Sequence, residues 1–208
     1  MKRLFDLIIS FFAIVILSPV MIIIALLIKL QNRGTIIFKQ KRVGKDNKEF
    51  VIYKFRSMCE DAPEIASNDL ENPESYITSI GKILRKTSLD ELPQLFNIIK
   101  GEMSLVGPRP VINDESEREL LELRTKVGIS KLVPGLTGWA QINGRDDMSV
   151  ERKIHLELEY MNKQSFVFDF KILFNTFFKV CKQEGVLNGK IEDSEKPISG
   201  DNKVKDAI

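Results

Sequence analysis

Between Leu7 and Ile28 the only polar side chains are Ser10 and Ser18, and that run constrains the chain more than any other stretch. As a helix, roughly 24 residues at about 1.5 Å each would extend about 36 Å, enough for a ~30 Å hydrocarbon core. The whole-chain composition conceals this. With 43% hydrophobic residues and a net charge of +2 over 208 residues, the averages describe an ordinary soluble protein. The charged residues are concentrated in the rest of the chain.

Three forms compete for this segment. A cleaved signal peptide fits Lys2 and Arg3 before an apolar run, but the run is too long and no small-x-small cleavage site follows it. A plain transmembrane helix is the simplest form. A re-entrant hairpin is favoured by two features. Pro19 lies near the middle and has no N–H for the carbonyl of Val15, while the Ser18 hydroxyl can bond back to Ile14 or Val15. Basic residues also flank both ends: Lys2 and Arg3 before, and Lys29, Arg33, Lys39, Lys41 and Arg42 after. Two basic flanks suit a segment whose ends stay on one side, although proline kinks also occur in true spans.

Beyond the anchor, Thr35 to Lys41 and Lys48 to Lys54 are β-rich runs joined at Gly44-Lys45-Asp46-Asn47, a hairpin pattern. Between Lys29 and Arg56 there are nine Lys/Arg and two acidic residues, which suits anionic headgroups or an anionic ligand. Lys54 and Arg56 are two apart and share a strand face at about 7 Å, a spacing that matches the phosphates of a diphosphate. Helices are expected over Ser79 to Arg85, Leu92 to Lys100 ending at Gly101, Glu115 to Val127, and Val150 to Asn162. Asp61 to Tyr76, Ser104 to Pro110 and Pro134 to Arg145 read as loops. In Ser165 to Glu184, Phe166, Phe170, Leu173, Phe177 and Val180 fall on one helix face. A core-facing stripe is the default, and a helix in the membrane interface is the second reading. The tail from Asn188 is polar and aperiodic, with the composition of a disordered segment.

Cys59 and Cys181 form no C-x-x-C pair, and the single histidine, His155, excludes a site needing two imidazoles. Neither G-x-x-x-x-G-K-[ST] nor G-x-G-x-x-G occurs. The residues that can carry chemistry lie in three groups. Asp90 and Glu91 are adjacent carboxylates at a helix start, with Arg85 and Lys86 nearby to lower their pKa and supply counter-charge for a phosphate. Ser88-x-x-Glu91 also matches a structural capping box, but Pro93 prefers the first helical position and moves the cap toward Leu92. Arg109 is held between Pro108 and Pro110, a rigid setting for a guanidinium that grips phosphate with two N–H groups. Pro134 to Arg145 carries glycines that admit close backbone approach, beside Trp139. Carboxylates, cations and an anchor together suggest metal-assisted chemistry on a phosphorylated substrate at a membrane surface.

Six motifs appear in order: Lys2-Arg3, Ser18-Pro19, Lys54-Phe55-Arg56-Ser57-Met58, Leu89-Asp90-Glu91-Leu92-Pro93-Gln94, Ser104-Leu105-Val106-Gly107-Pro108-Arg109-Pro110 and Pro134-Gly135-Leu136-Thr137-Gly138-Trp139-Ala140-Gln141. From Lys2 to about Val186 the chain resembles the bacterial sugar transferases, the small monotopic phosphoglycosyl transferases. The resemblance implies an α+β, mainly helical fold. Residues 1–31 would form a re-entrant helix–break–helix turning at Ser18 and Pro19. Residues 32–187 would form a cytosolic catalytic domain with a small β-hairpin and interfacial amphipathic helices, and 188–208 a tail. It implies sugar-1-phosphate transfer from a UDP-sugar to undecaprenyl phosphate at the bacterial inner membrane, with release of UMP. By position, Asp90 would be the nucleophile of a ping-pong reaction, with Glu91 as its base or orienting partner. Mg2+ would bridge Asp90 and the diphosphate. Arg109, Lys54, Arg56, Arg85 and Arg145 would hold phosphates, and Lys2 and Arg3 would meet the membrane interface. Membrane lipids and downstream glycosyltransferases are the expected partners, with no nucleic acid. A phosphohydrolase and a non-catalytic adaptor for nucleotide-sugars or anionic lipid are the rival readings.

Overall fold

The structure is a computed structural model, and it describes residues 1–31, 34–62, 73–144 and 148–182. Arg33, Arg145, most of the expected loop after Asp61 and the polar tail lie outside the described residues.

The apolar run forms one helix, α1 (Lys2–Gln31), which continues through Pro19. The break expected at Ser18 and Pro19 does not interrupt the helical backbone. Its local chemistry is as anticipated: the Ser18 hydroxyl donates to the carbonyl of Val15 at 2.8 Å, supplying the hydrogen bond that the proline nitrogen cannot make. The helix is long and apolar enough to cross a membrane.

It does not stand apart from the domain. At its start, Lys2 is 2.6 Å from Asp169, and Arg3 donates to the carbonyls of Ile98 and Ile99. One turn on, the buried Asp6 accepts from the Ser104 hydroxyl at 2.8 Å and from the Leu105 amide at 3.3 Å. At the far end, Ile24 and Ile28 pack with Phe55 and Leu84, and Gln31 accepts from the Ile80 amide. Both ends are therefore fixed to the same body, while Leu4, Ile8, Phe11, Phe12, Ile16, Ile23 and Leu26 face outward.

The hairpin forms as expected. β1 (Ile37–Val43) and β2 (Glu49–Phe55) pair antiparallel, with Gln40 opposite Ile52. Asp46 and Asn47 turn it at φ 55° and 59°, a region that Asn and Asp enter more readily than most residues. After α2 (Pro73–Tyr76) and α3 (Ser79–Lys86), α4 (Gln94–Lys100) lies against the hairpin. Asn97 of α4, fully buried, donates to the carbonyl of Val51 at 2.7 Å and accepts from the amide of Tyr53 at 3.1 Å. Two bonds from one side chain thus fix β2 relative to α4.

A second sheet replaces two of the expected loops. β3 (Ser104–Val106) and β4 (Gly135–Thr137) run parallel, and α6 (Trp139–Asn143) follows α5 (Arg118–Lys126) in chain order. The strands sit so close that a Cβ on Gly135 would come within 2.1 Å of the Gly107 nitrogen. Glycine there is a packing requirement. Trp139 is half-buried, with its indole N–H bonded to Glu159 at 2.8 Å and its ring against Phe168.

α7 (Val150–Lys163) packs on α5, where Arg124 and Glu157 form a buried pair. The helix α8 (Phe166–Lys182) overturns the default for its aromatic stripe. Of the stripe, Phe166, Phe170, Phe177 and Val180 are exposed and only Leu173 packs inward, with Phe168 and Ile172. The packed side also carries Asp169, which is held by Lys2 and by the Tyr160 hydroxyl at 2.8 Å. Burying those polar contacts turns the phenylalanines outward. Phe166 meets Phe5 edge-on at 4.9 Å, so the apolar outer surfaces of α8 and α1 adjoin. An exposed apolar surface of this extent marks a membrane or protein contact.

Candidate active site

Ser88 adopts φ 54°. That left-handed step ends the α3 segment and turns Leu89–Glu91 into one 3-10 turn, and α4 begins only at Gln94 with Pro93 as its cap. Ser88 makes no side-chain capping bond, so the capping-box explanation of Glu91 does not hold. The cap does lie beyond Ser88, but at Pro93 itself, one residue past the expected Leu92, so that Gln94 and not Pro93 takes the first helical position.

The turn divides the two carboxylates. Asp90 is buried at 7% exposure. Glu91 takes the direct contacts: Lys54 at 2.7 Å and Arg109 at 3.3 Å, both on Oε1. Lys54 reaches it because Asn97 locks β2 onto α4. Arg109 reaches it from the loop after β3, which the parallel pairing holds through Gly107 N–H to Thr137 O at 2.9 Å and Gly135 N–H to Pro108 O at 2.8 Å. Three segments distant in sequence thus meet at one place.

The electrostatics differ sharply between neighbours. Burial pushes the Asp90 carboxyl up to about 6, reinforced by Glu91 and opposed by Lys54, Arg85 and Arg109. Burial also works against ionised Glu91, but Lys54 and Arg109 overcome it and hold that carboxyl down at about 2. At neutral pH both are ionised. Glu91 is stabilised and committed, whereas Asp90 is a poorly solvated anion, the condition that favours a nucleophile.

Of the residues expected at the site, Asp90, Glu91, Lys54 and Arg109 come together, and Arg85 lies near enough to act on Asp90 while its guanidinium meets the Met58 sulfur at 3.7 Å. Arg56 is engaged elsewhere, donating to the carbonyl and hydroxyl of Thr35 and lying 5.9 Å from the centre of the Phe38 ring. The idea that Lys54 and Arg56 grip one diphosphate from a shared face thus meets two side chains with separate partners. Lys2 and Arg3 spend their hydrogen bonds on Asp169 and on the end of α4. Arg145 lies outside the described residues.

Sequence reasoning passed over Arg42 as a site residue. It was one of nine basic residues in its stretch, and nothing in its spacing set it apart. Burial and the neighbouring Arg109 lower its pKa to about 10, against the pull of Glu117, Glu91 and Asp114. Gln94, within a quoted motif, is also buried, and its amide nitrogen has no partner among the described residues.

No cluster of three His, Cys, Asp or Glu side chains able to hold a metal occurs among the described residues. With Glu91 committed to two cations, the protein offers one carboxylate, Asp90. That fits magnesium, which commonly binds one or two carboxylates and takes its remaining ligands from water and substrate phosphate.

Fold and site together define a domain with a long apolar helix in which a buried carboxylate is set among cations. The bacterial sugar transferase family model matches residues 1–183, and the chain belongs to that family. It is 42% identical over 190 residues to the UDP-glucose:undecaprenyl-phosphate glucose-1-phosphate transferase of Escherichia coli (strain K12), covering 86% of this chain and 40% of that protein. It is 40% identical over 188 residues to the uncharacterized sugar transferase EpsL of Bacillus subtilis (strain 168), covering 89% and 90%. The undecaprenyl-phosphate galactose phosphotransferase of Salmonella typhimurium is 36% identical over 200 residues, covering 89% and 41%. The chain thus spans about two fifths of the first and third relatives and nearly all of the second.

Proposed function

We propose that the protein transfers sugar-1-phosphate from a UDP-sugar to undecaprenyl phosphate, releasing UMP and beginning a bacterial glycan. The observation that carries this reading is Asp90: an ionised, buried carboxylate with Lys54, Arg85 and Arg109 around it. A module that only bound phosphate would gain nothing from an anion in that position, which repels the ligand. A nucleophile requires it.

Asp90 attacks the sugar-bearing phosphorus, and the bond to the bridging oxygen breaks, releasing UMP and leaving an aspartyl phosphosugar. The phosphate oxygen of undecaprenyl phosphate then attacks that phosphorus. The acyl-phosphate bond breaks and Asp90 returns as carboxylate. Glu91 orients Lys54 and Arg109 toward the phosphates, and both cations stabilise the charge on the transferred group. Magnesium, held by Asp90 and the diphosphate, would screen the charge between nucleophile and substrate.

The attachments of α1 support a reading of how it sits in the membrane. A helix with both ends bonded to one domain leaves that domain on one face of the bilayer. We infer that α1 enters the cytosolic leaflet of the inner membrane without crossing it, and that α8 lies in the interface. Its product would pass to downstream glycosyltransferases.

A phosphohydrolase would use the same cations, so the test must follow both products. Purified protein in lipid, with UDP-sugar, undecaprenyl phosphate and Mg2+, should release UMP and form polyprenyl-diphosphate sugar in equal amounts. Asp90→Asn should stop both. Full turnover by that variant would overturn the covalent route, and UMP release without a lipid product would identify a hydrolase. Labelling of cysteines placed at residues 2 and 33 should mark both from the cytosolic side; exposure on opposite sides would restore a crossing helix.

A further inference from the structure

We infer that Arg42 and Arg109 form a single phosphate seat, used first by the nucleotide's departing phosphate and then by the phosphate of the lipid acceptor. This rests on the transfer reaction proposed above.

The hairpin register places Arg42 where it can serve. Cross-strand partners share a face, and the pairs Phe38–Lys54, Gln40–Ile52 and Arg42–Phe50 alternate along one side of the hairpin. Arg42 therefore lies on the face that carries Lys54, about 13 Å farther along the strand. The end of β1 is tied to the loop that bears Arg109. Val43 N–H donates to the carbonyl of Val111 at 2.8 Å, and Arg42 itself approaches the carbonyl of Pro110 at 3.5 Å. A second guanidinium nitrogen donates to Gln40 at 2.7 Å, which fixes its plane. The Nε–H is buried with no hydrogen-bond partner among the described residues.

Two features of this arrangement need an explanation. Arg42 and Arg109 are near enough to repel each other, and a buried N–H donor is left unused. A like-charged pair and an unspent donor both cost stability in a purely structural arrangement. They are what a site for a doubly charged phosphate requires, since guanidinium N–H groups bind phosphate oxygens directionally.

The seat's role follows from order in space. Arg109 bonds Glu91, the neighbour of Asp90, at 3.3 Å, while Arg42 reaches the carbonyl of Pro110, the residue that follows Arg109, at 3.5 Å. Arg109 thus stands between the nucleophile and Arg42. Phosphoryl displacement places the attacking and leaving oxygens in line across phosphorus. With Asp90 on one side, the nucleotide phosphate departs on the other, toward Arg109 and Arg42. When the lipid phosphate displaces Asp90 from the same phosphorus, it must approach from that side too. One seat serves both half-reactions.

The test uses the full-length protein in lipid nanodiscs, with Arg42→Gln and Arg42→Lys. Losing a charge-assisted hydrogen bond should weaken UMP binding roughly tenfold to a hundredfold in Arg42→Gln, leaving any uridine binding unchanged. KM should rise for both the UDP-sugar and undecaprenyl phosphate. Arg42→Lys, which keeps the charge but loses the fork, should fall between. Unchanged UMP affinity in either folded variant would overturn the seat, and Arg42→Lys decides it should Arg42→Gln fail to fold. A rise in donor KM with lipid KM unmoved would overturn its sharing. Wild-type protein that binds UMP through Arg42 yet makes no lipid product would support the seat while removing the transfer reaction.

Discussion

The pair Arg124–Glu157 and the group around Asp90 are both buried charge, and they are assembled differently. Arg124 and Glu157 join α5 to α7 with two hydrogen bonds between one guanidinium and one carboxylate. One cation meets one anion there. At the site, Glu91 alone receives two cations, Arg42 and Arg109 are crowded together, and burial raises Asp90 toward its neutral form. A structural ion pair matches its charges internally. A site for an anionic substrate leaves charge to be matched by what binds.

That difference can be broken one side at a time. The largest effect is expected from Asp90→Asn, which should abolish product formation while making the protein more stable. Burial holds the proton on native Asp90 up to about pH 6, against an ordinary 3.8. Between those values rising pH ionises the unfolded chain first and favours unfolding, and above them the full penalty remains. Removing the charge should raise stability at pH 7 by up to about 3 kcal/mol, measured by chemical unfolding of both proteins. Glu157→Gln should do the reverse. It leaves Arg124 buried and unpaired, costing about 3–5 kcal/mol, with turnover per folded molecule near wild type.

Smaller effects grade the site itself. Arg109→Lys keeps a point charge without the fork and should lower kcat/KM for the donor by roughly tenfold to a hundredfold, measured by UMP release. In metal-free protein the stability gained by Asp90→Asn should shrink as pH falls from about 6 toward 4, because native Asp90 takes up its proton first, measured by chemical unfolding of both proteins. A gain independent of pH over that range would remove burial as the cause of the raised Asp90 carboxyl. Lys203→Ala, in the tail, should leave every measurement unchanged.

The hairpin was legible because alternation and a Gly-Lys-Asp-Asn turn are local signals, α1 because of its unbroken apolar run, and α3, α4, α5 and α7 because their termini carry caps or glycine. β3 and β4 were not. Each has three residues, they pair in parallel across an intervening helix, and the flanking glycines and prolines read as loop. The aromatic face of α8 was placed inward because periodicity reveals that a helix has an apolar side without revealing which medium covers it. At the site, Asp90, Glu91 and Arg109 were readable from their settings. The separate fates of the two carboxylates were not, since these depend on Lys54 arriving from another strand, and Arg42 stood out only once its neighbours were known.

The bond between Lys2 and Asp169 has a consequence for how the protein is made. The helix that carries Lys2 leaves the ribosome 167 residues before its partner, Asp169. Arg3 and Asp6 wait similarly for residues 98 to 105. During synthesis an apolar helix is therefore present without the domain that fixes its ends, and contacts of such long sequence separation close slowly. Whatever receives the nascent helix must hold it until α8 arrives. A chain truncated before residue 169 would lack that clasp, and its first helix would be free to settle at another depth.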